Sequence, residues 1–257
     1  MREIIFRPCK ASEESEGSRK SRSPQTQGND RRALCCFFNW AVAQGYAESN
    51  PIQKIKAPRF DMDEPEILST AEVRKVIEET STFKGGKLVP YVILAMFAAI
   101  RPAELERLTW DSVDLEAKAV TISGRQAKLR QRRIVELSDN AVQWLLPHAL
   151  KRTPIKGVNW RRDVDEIKRA AGFRARSTPG KPWAQDILRH TGISNHFALH
   201  EHEGKTALWA GNSPDMIHRH YKGLVSKREA AEFFGITPDS GKIVATPARR
   251  DVELAAA

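Results

Sequence analysis

LVPYVILAMFAAIRPAEL, residues 88–105, decides the fold class. Its run 88–100 is apolar on every side, and a helix of that kind is buried on all its faces. It is the expected central helix of a domain. Arg101 follows at once. Pro102 then suits the first position of another short helix, ending near Leu108, because proline lacks the N–H that a first turn leaves unpaired. An arginine is thereby fixed at a helix mouth, directly after the core.

The flanking sequence carries its own punctuation. Ser69 and Glu72 form a capping box that opens a helix through about Thr80. AVTIS (119–123) and RRIVEL (132–137) are strand-like runs on either side of GRQAKLRQ, which predicts a β-hairpin. Ser138 caps a helix to about Leu150, and Asn159 caps another that Gly172 closes. Helices at about 184–202, 204–210 and 213–222 come next, the last with Ser213 as cap and Pro214 just inside. Ser226 and Glu229 form a second capping box, opening a helix through about Phe234. The expected class is mainly α (α+β), a helical domain with a small antiparallel β-hairpin.

Toward the N-terminus the pattern thins. Residues 1–29 are polar and broken by Ser, Gly and Pro, as disordered chain is. From Asp30 the pattern turns helical, with Leu34, Phe37, Phe38, Ala41 and Val42 on one face and Gly45 as a stop. Cys35, Cys36 and Tyr46 read as packing residues of that helix, and NPIQKIKAPRFDMDEPE after it reads as a linker. The organisation predicted is a tail (1–29), a helix with linker (30–64), the main domain (65–236) and a C-terminal tail (237–257).

With 257 residues there is ample material for a core. Forty-two Lys and Arg against 32 Asp and Glu leave a net charge of +10, a bias that suits a polyanion because each neutralised phosphate releases counterions. Residues 125–133 (RQAKLRQRR) concentrate five of those cations with no acid among them. Three cysteines, Cys9, Cys35 and Cys36, give neither a disulfide framework nor metal-ligand spacing. No signal peptide is evident, and no segment approaches the roughly 20 apolar residues of a membrane span. The expectation is a soluble protein of a reducing, cytoplasmic compartment, without membrane contact.

Four residues have the makings of phosphoryl chemistry: Arg101, Lys128, Arg189 and Tyr221. A phenol with a pKa near 10 attacks phosphorus only if cations stabilise the phenolate and the anionic transition state. Guanidinium forks do this by taking two phosphate oxygens at once. Of the three tyrosines, Tyr91 falls in the apolar helix, whereas Tyr221 is flanked by His218, Arg219, His220 and Lys222. Plainer readings exist beside these: Arg101 paired with Glu104 or Asp111, Arg189 paired with Asp186, and Lys128 on a solvated hairpin tip. His196 and His200 share a helix face, but Phe197 stands where a His-Glu-x-x-His metal site needs glutamate, so no metal is expected.

In context and order, AIRPAEL (99–105), the hairpin lysine, DILRHT (186–191) and the tyrosine nine residues after Asn212 resemble the tyrosine recombinase (phage integrase) family, from about Arg31 to Ile236. The resemblance implies a site-specific recombinase that breaks and rejoins double-stranded DNA through a 3′-phosphotyrosine, as a tetramer on DNA and without cofactor. Residues 30–64 would then be a remnant of the family's core-binding region. Arg101 and Arg189 would clamp the scissile phosphate, Lys128 would protonate the leaving 5′ oxygen, and Tyr221 would be the nucleophile. Asp186 replaces the family's first His of His-x-x-Arg and could accept the phenol proton. Asn212 replaces a later His or Trp and could donate a hydrogen bond. His190 would support the site from behind, and Arg125, Arg130, Arg132, Arg133, His190 and His220 are the expected DNA contacts. Phe233 and Phe234 could anchor a C-terminal segment exchanged between subunits, or pack at home. The alternative is a truncated, catalytically impaired DNA-binding remnant of an integrase.

Overall fold

The computed structural model describes residues 22–58, 64–124, 132–174 and 180–238. The chain divides into two units, Met1–Asp63 and Glu64–Ala257.

In the first unit, helix α1 spans Pro24–Ala43 and so opens at Pro24 rather than at Asp30. The Ser23 side chain accepts the Thr26 N–H and Pro24 takes the first position, which starts a helix where composition alone reads as loop. A 3₁₀ turn, Pro51–Lys54, is capped by Asn50 and folds Ile52 and Ile55 against Leu34, Cys35 and Phe38. Ala41 is buried, but Phe37, Val42, Cys36 and Tyr46 are exposed, so the last two are not packing residues within this unit.

The second unit begins with α2, Thr70–Thr82, closed at its start by the expected capping box between Ser69 and Glu72. A tight turn at Phe83–Gly86 leads into α3, Val89–Phe97, in which every residue is buried. The helix ends at Phe97 rather than Ile100. Ala98, Ala99 and Ile100 stay buried but leave the helix: Ala99 is left-handed (φ 46°) and the Ile100 N–H reaches back to the Leu94 carbonyl. Helix α4, Pro102–Leu105, starts at the next residue but one.

Beyond α4 lies a three-stranded antiparallel sheet, β1 (Val113–Asp114), β2 (Ala119–Ile122) and β3 (Arg133–Glu136), in that order. The expected hairpin strands are β2 and β3, with Val120 opposite Val135; β1 is an addition too short to show a periodicity. Val120, Ile122 and Val135 face the core. Helices α5 (Asp139–Leu150), α6 (Trp160–Ala170), α7 (Ile187–His200), α8 (Glu203–Ala210), α9 (Pro214–Tyr221) and α10 (Lys227–Phe234) complete the unit. Ser138 and Asn159 stand at the cap positions of α5 and α6, though neither side chain accepts a helix N–H. Ser226 and Glu229 make the second capping box. Phe233 packs on Phe97 with ring centres 4.6 Å apart and planes tilted by 45°, and Phe234 packs on the same core, so both residues pack within this chain. Among the described residues, no helix is long and apolar enough to cross a membrane.

Two crossings anchor the unit: α3 packs against α5 and against α7. The α7 crossing is close because Gly192 lies on the Met96 carbonyl, where an added Cβ would come within 2.0 Å of the oxygen. Gly192→Ala therefore pries α3 and α7 apart, and its expected cost is about 3 kcal/mol, the upper end for overpacking. Urea denaturation measures it, and a change under about 0.5 kcal/mol, typical of neutral surface sites, contradicts the crossing.

Candidate active site

The turn that ends α3 delivers Arg101 to the mouth of α4. Its backbone N–H is received by Glu104 Oε2 at 3.1 Å, and Pro102 fixes the entry. Its Nη1 makes a long contact to Glu104 Oε1, 3.4 Å, while Nη2 donates to the Gly211 carbonyl (2.5 Å) and to Asn212 Oδ1 (2.8 Å). The pairing with Glu104 anticipated as the plainer reading is thus present, but only through one edge of the guanidinium. The other edge points to the turn after α8.

Arg189 reaches the same turn from α7. It is 4% exposed, donates to the carbonyls of Ala99 and Ala210, and places Nη2 3.1 Å from Asn212 Oδ1. Among the described residues, no ion pair joins it to Asp186. Burial first, and the neighbouring charge of Arg101 second, pull this guanidinium down to about 9, still protonated at neutral pH. Two arginines 88 residues apart therefore donate to one amide oxygen. Asn212 is held there by the left-handed Gly211 (φ 68°) that caps α8 and by its own N–H on the Ala207 carbonyl.

Tyr221 is the last residue of α9, whose start is fixed by Ser213 and Pro214. The ring is 4% exposed, and its hydroxyl lies 2.8 Å from His190 Nδ1. Burial pushes the phenol up, with the Asp186 charge adding to it; Arg189 and Arg101 pull it down without prevailing. Burial, with Arg189 and His220, lowers His190 and leaves a neutral imidazole. With its proton on Nε2, such a ring can accept a hydrogen bond from the phenol at Nδ1.

Several expectations change at this point. The phenol meets His190, whose Nδ1 faces Tyr221. Asp186, the left-handed N-cap residue of α7 (φ 56°), acts on the phenol through charge alone; the helix carries the side chain one turn further on to the tyrosine. Arg133 is turned inward as well. Its Nη1 and Nη2 grip Glu104 Oε1 and Oε2 at 2.8 and 2.6 Å, with side chains 9% and 1% exposed. Arg132, its neighbour just before β3, is exposed as expected, since alternate residues of an extended chain face opposite ways. His220 is half-buried on α9. Lys128, Arg125 and Arg130 lie outside the described residues.

Sequence reasoning missed Glu104 as a shared acceptor and Gly211 as the carbonyl that steers Arg101. The glutamate three residues after Arg101, at the third position of a proline-led helix, was the available signal. Among the described residues, no group of three His, Cys, Asp or Glu could hold a metal ion. His196 instead stacks on Trp209 at 4.1 Å and meets Thr206 Oγ1 at 2.9 Å, and burial draws its pKa down to about 3.

No protein-family model matches the chain. A tyrosine recombinase XerC-like protein of Caldanaerobacter subterraneus subsp. tengcongensis is 32% identical over 113 residues, 42% of this chain and 27% of the relative. Tyrosine recombinase XerC of Xylella fastidiosa is 30% identical over 103 residues, 39% of this chain and 35% of the relative. The match thus spans about a third of these relatives' own length. Among solved structures, a Tn1549 transposon integrase in complex with a circular intermediate DNA aligns with a TM-score of 0.59 at 17% identity, over 82% of this chain and 79% of that one. A lambda integrase tetramer bound to a Holliday junction aligns with a TM-score of 0.56 at 16% identity, over 79% and 61%. At such identities the likeness to the solved structures is one of fold.

The buried phenol gives a direct test. Subtracting the ultraviolet phenolate titration of Tyr221→Phe from that of the wild-type chain isolates Tyr221, and its ionisation is expected above the ordinary value of about 10. Because the folded value is raised, Tyr221 favours the native state below pH 10, and that contribution is lost as pH climbs through the folded value. A difference step at or below about 10 contradicts the burial of this ring.

Proposed function

We propose, for a chain that belongs to the tyrosine recombinase family, that it breaks and rejoins double-stranded DNA through a 3′-phosphotyrosine on Tyr221. The observation that carries this is the single amide oxygen, Asn212 Oδ1, held jointly by Arg101 and Arg189. An oxygen bound by two guanidinium groups marks the place of a non-bridging phosphate oxygen. A phosphodiester entering there displaces Oδ1, and rotation of the carboxamide turns its Nδ2 toward the phosphate, the donor role expected for Asn212.

In this reading Tyr221 Oη forms a bond to phosphorus while the bond from phosphorus to the 5′ oxygen breaks. The phenol proton passes to His190 Nδ1, the hydrogen-bonded partner it already has. The leaving 5′ oxygen takes a proton from Lys128 and departs as a hydroxyl. A 5′ hydroxyl of a second strand then attacks the phosphotyrosine, and each step runs in reverse. One phosphodiester is exchanged for another ester each time, so no nucleotide is consumed. Arg101 and Arg189 stabilise the extra charge of each transition state. The solved fold relatives are bound to DNA, one of them as a tetramer, which supports a duplex partner and a homo-oligomer on it for this chain.

The remnant reading draws on one feature. In the conformation described, the phenol is buried and burial raises its pKa, which works against its ionisation. Incubation with a pool of nicked duplexes of random sequence, followed by denaturing electrophoresis, separates the two readings. The recombinase reading predicts a covalent protein–DNA adduct that vanishes in Tyr221→Phe, and that forms about 10²- to 10³-fold more slowly in Arg189→Lys. An adduct that survives Tyr221→Phe contradicts the assignment of the nucleophile. Tight DNA binding by the wild-type chain with no adduct identifies a binding remnant.

A further inference from the structure

We infer that Arg133 is a positioning residue for strand cleavage: by occupying both oxygens of Glu104, it keeps Arg101 turned toward the phosphate cradle. The inference rests on the reading of Arg101 and Arg189 as that cradle.

Glu104 is a buried carboxylate that two arginines compete for. Arg133 holds it in a fork at 2.8 and 2.6 Å, whereas Arg101 touches it with one side-chain nitrogen at 3.4 Å and with its backbone N–H. Burial pushes the Glu104 carboxyl up; the hydrogen bonds and charge of Arg133, then those of Arg101, more than reverse this and keep it ionised. A buried ion stripped of its main partner is strongly destabilised, which favours a shift of the nearest cation toward it. That cation is Arg101, three residues earlier on the same turn. A two-pronged grip on Glu104 would use the fork that now reaches Gly211 and Asn212.

A second contact works in the same direction. The Arg133 side chain lies against Gly211, where an added Cβ would sit 3.0 Å from Nε and 3.1 Å from Cδ. The carbonyl of that same glycine receives Arg101 Nη2. Arg133 therefore touches both groups that hold Arg101, the carboxylate behind it and the peptide in front. With both Nη atoms committed to Glu104, and Nε buried without a hydrogen-bond partner among the described residues, Arg133 is one carboxylate removed from any phosphate in the cradle.

The test follows adduct formation on the nicked-duplex pool at saturating DNA, together with the Kd for the same DNA, in Arg133→Met, Arg133→Lys and the double variant Arg133→Met/Glu104→Gln. Loss of the fork is expected to slow the adduct by about 100-fold in the Met variant, the scale of a misplaced catalytic group, and by about 10-fold in the Lys variant, which keeps the charge without the fork. The Kd shifts less than about threefold, because Arg133 does not itself meet DNA. Removing the carboxylate's charge in the double variant releases Arg101 and recovers at least about 10-fold of the rate, a rescue that loss of packing alone would not produce. Thermal midpoints confirm that each variant is folded; if the Met chain is not, the Lys variant carries the comparison. Weakened, salt-sensitive DNA binding with an unchanged rate overturns the inference and makes Arg133 a phosphate contact. Equal loss in the single and double variants also overturns it. A wild-type chain that forms no adduct overturns this inference together with the reading it rests on, whereas an active wild type beside an unimpaired Arg133→Met overturns this inference alone.

Discussion

Two positive charges aimed at one neutral oxygen are the constraint on which the rest of this structure turns. The donating nitrogens of Arg101 and Arg189 lie 2.8 and 3.1 Å from Asn212 Oδ1, so they are at most about 6 Å apart, and like charges at that distance repel by roughly 3 kcal/mol at an effective dielectric of about 20. Asn212 offers only a dipole against this. The fold supplies the remainder: carbonyls of Ala99, Ala210 and Gly211 turned inward, and a single carboxylate, Glu104, behind Arg101. An anion arriving between the two guanidinium groups would relieve the repulsion, which is why the proposed function places the phosphate there.

Every element that holds this arrangement is accounted for by ordinary packing. Helix α3 must be buried because it has no polar face, and its left-handed exit at Ala99 exposes one carbonyl to Arg189 and sends Arg101 outward. Gly192 lets α7 approach α3 closely enough for Arg189 to reach that carbonyl. Gly211 turns the chain so that Asn212 meets both arginines, and Ser213 and Pro214 begin the helix that ends on Tyr221. Arg101 and Asn212 occupy places where regular structure stops, whereas Arg189 and Tyr221 are carried by helices.

Much of this was legible in the sequence, and what was not has identifiable causes. The two capping boxes, the all-apolar helix, the proline-led turn after Arg101 and the hairpin strands carry local signals that need no tertiary knowledge, and each element stands within a few residues of its expected place. The start of α1 was hidden because the polar composition of PQTQGND outweighed a good cap and proline. The place of Arg133 is hidden because a run of five cations reads as surface; alternation along the extended chain separates Arg132, exposed, from Arg133, largely enclosed and paired with a buried acid. The choice between Asp186 and His190 as the phenol's neighbour depended on the azimuth of a helix against another helix, which no local pattern encodes.

The most direct measurement is the structure of the chain bound to a nicked duplex. The account predicts a backbone phosphate oxygen in the place now held by Asn212 Oδ1, within hydrogen-bond distance of both Arg101 and Arg189, with the carboxamide turned to donate and Tyr221 Oη facing the phosphorus. A bound duplex whose phosphates pass elsewhere, while Asn212 Oδ1 remains between the two arginines, would contradict it.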